Sequence, residues 1–143
     1  SASRDRGAGF LKGLEAFPDI TVVATQTANF DRAQALDVTT NLLQANPGVV
    51  GIFAENDEMG LGAIQALGSR AGGEVKVSAF DGTADGIAAI EAGTMTSTIA
   101  QQPAELGALA VQQAVKALRD EDPSDEAVEV ITVTADNVGD FTK

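Results

Sequence analysis

Cysteine and histidine are both absent from this chain of 143 residues. Together these absences exclude thiol nucleophiles, imidazole general bases and most zinc sites. They leave the compartment open, because a cysteine-free chain suits export without disulfides as well as the cytosol. Basic residues are scarce: nine Lys and Arg stand against 21 Asp and Glu, for a net charge of −12. A phosphate-backbone binder needs clustered cations, so nucleic acid is excluded as a partner, and an anionic membrane surface is disfavoured. The acidity serves solubility or adaptation to high salt.

Long apolar runs are also missing. The longest are of strand length, such as Val49 to Ala54, and with 44% hydrophobic residues the composition is that of a globular domain. No basic-then-apolar leader is written at the N-terminus, so a signal peptide or lipid anchor is expected only upstream of Ser1. There is no internal repeat, no phosphate loop of the G-x-x-x-x-G-K type and no G-x-S-x-G elbow. Gly7-Ala8-Gly9 follows no strand, and Lys12 stands where a dinucleotide fingerprint needs its third glycine. A response-regulator receiver needs a lysine at a strand end, whereas Lys76 lies at a strand beginning. No enzymatic activity, cofactor or metal is therefore expected. Asp81 and Asp85 as a cation pair are less favoured than helix capping beside Thr83.

What is present is a strict alternation of helical and extended patterns. Phe10, Leu11, Leu14 and Phe17 fall at helical spacing, closed by Pro18. Helices are also expected after Asp31, after Asp57, around Ile87 to Ile90, and from Pro103 to Leu118. Strands are expected at 20–25, 49–54, 75–80, 95–100 and 128–133, with an acidic linker at 120–126. Such alternation predicts an α/β fold, an open parallel sheet flanked by helices.

Ligands of such sheets bind beyond the carboxyl ends of the strands. Those ends lead into Asn29-Phe30-Asp31-Arg32, Glu55-Asn56-Asp57-Glu58, Asp81-Gly82-Thr83 and Gln101-Gln102-Pro103. Amides, carboxylates and one aromatic suit a neutral, hydroxyl-rich ligand. Each residue has a plainer use: Asp31, Asp57 and Asp81 as caps or near-caps, Phe30 in a core, Arg6 as a solvated charge, Gln101 in turn chemistry. Their convergence on one sheet edge is what marks a site.

Five segments, Ser3-Arg4-Asp5-Arg6-Gly7, Asn29-Phe30-Asp31-Arg32, Asn56-Asp57-Glu58-Met59, Phe80-Asp81-Gly82-Thr83 and Thr98-Ile99-Ala100-Gln101, resemble in order and spacing the periplasmic ribose-binding protein family. The resemblance covers essentially the whole chain. It implies a type I periplasmic binding fold, with lobes of flavodoxin-like topology and sugar held between two of them. By this resemblance Arg6 donates to sugar oxygens, Phe30 packs on the sugar ring, and Asn56, Asp81 and Gln101 bond its hydroxyls. Family members are about twice as long. The chain would then begin inside the second lobe, without the strand and helix that open it.

Residues 1–101 would form most of the C-terminal sugar-binding lobe, incomplete as it stands. Residues 102–134 would supply a helix and strand that pack in the N-terminal lobe, and 135–143 would cross back. The implied function is the substrate-binding component of an ABC sugar importer, most simply for ribose, located in the periplasm or outside the cell, as an anchored lipoprotein in a Gram-positive host. Its partners would be a monosaccharide, the membrane permease, and the missing N-terminal lobe, present as a separate chain or replaced by self-association. The alternative is the effector-binding core of a LacI-type transcriptional repressor, which shares the fold and the Asn-Asp-x-Met pattern.

Overall fold

The computed structural model describes residues 2–142. Five α-helices accompany four strands: α1 (Ala2–Leu14), α2 (Arg32–Ala45), β1 (Gly51–Phe53), α3 (Asp57–Leu67), β2 (Lys76–Asp81), α4 (Ala84–Glu91), β3 (Ser97–Ala100), α5 (Pro103–Leu118) and β4 (Ile131–Thr134). The strands lie in the order β1-β2-β3-β4. As expected, β1, β2 and β3 run parallel, and helices flank an open sheet. The sheet is nevertheless mixed, because β4 pairs antiparallel with β3.

Two expectations need correction. Residues 20–25 form no strand and remain exposed, with Val23 at 58%. An extended segment becomes a strand only when a neighbour takes its backbone groups. In a flavodoxin-like order, 2-1-3-4-5, the second strand pairs only with the first. No strand precedes 20–25 among the described residues. The strand expected at 128–133 is found at Ile131–Thr134 and belongs to this sheet, with Val133 fully buried in its core. Strand β4 therefore packs in the present sheet and not, as expected, in another lobe with the rest of 102–134.

Side-chain alternation divides the sheet into two faces. On one, Ala54, Val77, Ala79, Ala100 and Val133 are buried, together with Ile87 and Ile90 of α4 and with Met95. Small residues here let the helices come close. A Cβ at Gly62 would lie 2.3 Å from the Arg32 carbonyl oxygen, so only glycine allows α3 to pack so tightly on α2. The other face presents Phe53 and Phe80 to α1: Phe10 stacks on Phe53 with ring centroids 4.6 Å apart, and Arg6 lies 3.9 Å over the Phe80 ring. Helix α5 stands apart, with no buried residue and with Val111 and Leu118 exposed.

Candidate functional site

The carboxyl ends of β1, β2 and β3 meet at one edge, and their next residues make a polar cluster. Arg6, on the inner side of α1, donates from Nη1 to the Glu55 carbonyl (2.7 Å) and from Nη2 to Asp81 Oδ1 (3.1 Å). The same Asp81 oxygen accepts from Gln101 Nε2 at 2.8 Å. Arginine, aspartate and glutamine from α1, β2 and the end of β3 thus form one bonded group. Two donors share Oδ1, and Oδ2 takes no hydrogen bond among the described residues. Glu55 steadies α1 from beneath by accepting from the Ser3 hydroxyl.

Asn56 follows Glu55 and is buried. Its Oδ1 accepts from the Met59 amide at 2.9 Å, so Asn56 caps α3. Of the expected aspartate caps, Asp31 does cap α2, accepting from Gln34 N at 2.7 Å. Asp57 instead occupies the first helical position, and α4 is capped by Thr83.

Phe30 is brought less directly to the group. It sits 40% exposed before α2, and no ring contact or hydrogen bond joins it to Arg6, Asn56, Asp81 or Gln101 among the described residues. Its loop is tied to theirs through Arg32, which forks onto Glu58 (2.8 and 2.9 Å) and reaches Asp85 at 2.8 Å. Bonding to Glu58 first, then to Asp85, raises the Arg32 pKa further above its ordinary value. The ion pairs link the first turns of α2, α3 and α4. Nothing in the sequence pattern marked Arg32 as this tie.

Backbone conformation is unusual at three residues of these loops, and at Asp120 (φ 59°) after α5. Asn29 (φ 52°), Phe30 (φ 59°) and Asp81 (φ 126°) all have positive φ. For residues other than glycine each such conformation costs of order 1–3 kcal/mol, and it persists where surrounding structure enforces it, often at ligand sites. At Gly82 (φ 74°) only glycine fits, since a Cβ would lie 2.5 Å from the Ala100 Cβ. Between α1 and the sheet lies a cleft of about 450 Å³, lined by Phe10, Phe53, Phe80 and Ile99 with Arg6 in its wall. Its apolar lining offers little to hydroxyl groups, so the polar strand ends, not this cleft, fit a hydroxylated ligand.

Residues 1–122 match the periplasmic binding protein domain family. The chain belongs to that family. It is 46% identical over 121 residues to the ribose import binding protein of Salmonella typhimurium, covering 85% of this chain and 40% of that protein. It is 38% identical over 135 residues to the D-allose-binding periplasmic protein of Escherichia coli, covering 88% of this chain and 43% of that one. Among solved structures, an ABC transporter periplasmic solute-binding protein from Actinobacillus succinogenes with bound D-allose superposes with a TM-score of 0.90 at 39% identity, covering 96% of this chain and 50% of that chain. The chain spans about two fifths of the length of these curated relatives. Relatives of this kind are transport receptors rather than enzymes.

Proposed function

We propose that these residues supply one side of a sugar site in the solute-binding component of an ABC importer, acting outside the cytoplasmic membrane with a permease as partner. The bonded group Arg6–Asp81–Gln101 at the strand ends carries this reading. A carboxylate with one oxygen uncommitted accepts from a hydroxyl, and an arginine fork donates to sugar oxygens. Asn56 adds an amide, and Phe30 an exposed flat ring suited to the C–H face of a sugar. Ribose is the first ligand to test, because the relatives at 46% identity are named for it, and D-allose is the second. These relatives favour an import receptor over the effector core of a LacI-type repressor.

The remaining contacts would come from a second lobe facing this one. Residues 102–130 fit that lobe, since α5 buries nothing against the present sheet and its Leu106, Val111 and Leu118 are exposed. A thermal-shift panel of ribose, allose, xylitol and myo-inositol on the full-length protein tests the function. A ligand at 100 times its Kd raises stability by about 2.7 kcal/mol. We expect ribose to raise the melting temperature most; no shift with any of the four would overturn the reading.

A further inference from the structure

We propose that Asp57, acting through Thr98, is a positioning residue for the Asp81 turn; this deepens the sugar-site reading above and rests on it. Asp57 and Thr98 are both fully buried. Capping does not account for Asp57, because Asn56 already caps α3. Its carboxylate instead collects donors from two other elements. Oδ2 accepts from the Thr83 amide (2.7 Å) and the Thr83 hydroxyl (2.9 Å), and Oδ1 accepts from the Thr98 hydroxyl (2.6 Å). The Thr98 oxygen in turn accepts from the Gly82 amide at 3.2 Å.

Both amides following Asp81 are therefore held on one buried carboxylate, Thr83 directly and Gly82 through Thr98. Space for it is made by Gly86, where a Cβ would fall 2.3 Å from Asp57 Oδ2. The carboxylate sits in the first turn of α3, where the helix dipole favours negative charge. Asp81, at φ 126°, is locked between this anchored turn and its register partner Ala100 on β3. Rotation of the 81–82 peptide would break the Gly82 bond and turn the Asp81 carboxylate away from Arg6 and Gln101. Site geometry is thus set from beneath by residues that touch no ligand.

The test uses the full-length protein carrying Thr98→Val, Thr98→Ser or Asp57→Asn, with the buried Val75→Ala, just before the far end of β2, as a core control. Ribose affinity is measured by calorimetry well below each melting point, and exchange of the Gly82 and Thr83 amides by NMR without ligand. Thr98→Val is expected to raise Kd roughly tenfold or more and to speed exchange of the Gly82 amide, whose acceptor it removes. Thr98→Ser should rescue both, and Val75→Ala should lower the melting temperature while leaving both unchanged. Should Thr98→Val not fold, Asp57→Asn is read by the same two measurements. Wild-type affinity in Thr98→Val, or an equal loss in Val75→Ala, overturns the proposal. If the wild type binds none of the sugars, the sugar reading fails separately and amide exchange alone decides: unchanged Gly82 exchange in Thr98→Val overturns positioning, and selective acceleration supports it.

Discussion

At the scale of single residues, the turn after β2 is held at both of its positive-φ positions. Gly82→Ala would place a methyl 2.5 Å from the Ala100 Cβ and force an L side chain into φ 74°. We expect a loss of about 2 kcal/mol or more, read from the denaturation midpoint at unchanged slope. Asp85→Ala, nearby in sequence, removes one exposed ion pair to Arg32 and should cost under about 1 kcal/mol. The sequence made Asp81 and Gln101 legible as site candidates, because each follows a strand and strand ends point to ligands. Asp57 was not legible. Its pattern is that of a cap, and only the packing of α4 and β3 around it reveals a buried carboxylate with three donors. Phe30 was legible as an aromatic in a polar loop, but neither the missing strand before it nor its left-handed backbone was, since no glycine announces the latter.

At the scale of elements, the parallel core was readable from apolar runs between turn residues, and all five helices were found near their expected places. The two errors share a cause. Strand formation is a property of pairs, and neither the lack of a partner for 20–25 nor the antiparallel docking of β4 is written in local periodicity. We predict that amides 20–25 exchange rapidly in the isolated 143-residue chain and become protected in the full-length protein, where a preceding strand would pair with them. Fast exchange in both would mean that this segment is a loop. Beside α5, the exposed Glu126 carboxyl is held below its ordinary pKa by the Ser124 hydroxyl, then by Lys116 and Gln113. A depressed folded-state value contributes stability above the unfolded pKa, about 4.3 for glutamate, and loses it as pH falls through the folded value. The Ser124 amide, bonded to Gln113 Oε1 at 2.8 Å, should therefore stay protected at pH 6 and exchange faster than its intrinsic rate law predicts once the pH falls through the lowered Glu126 pKa. Protection that ignores this range would show that Glu126 does not hold the segment.

At the scale of the whole molecule, α5 and the unpaired segment 20–25 leave apolar side chains uncovered. Val111, Val115 and Leu118 lie exposed along α5, with Ile20 and Val23 exposed on the unpaired segment. Apolar side chains exposed in a row along one helix favour self-association. Light scattering on the isolated 143-residue chain should therefore find dimers or larger species, with negligible ribose binding, because half a cleft open to water leaves its polar contacts solvated. A strictly monomeric chain binding ribose at micromolar levels would overturn the two-lobe reading. The central claim, that Asp81 at the strand ends bonds a sugar, is tested most directly by titrating ribose into the full-length protein and its Asp81→Asn variant. Asparagine keeps the shape but removes the charge, and hydrogen bonds to charged groups contribute about 1.5–3 kcal/mol. We predict saturable one-to-one binding by the wild type and a Kd raised roughly tenfold or more in the variant; equal affinity in the two proteins would contradict it.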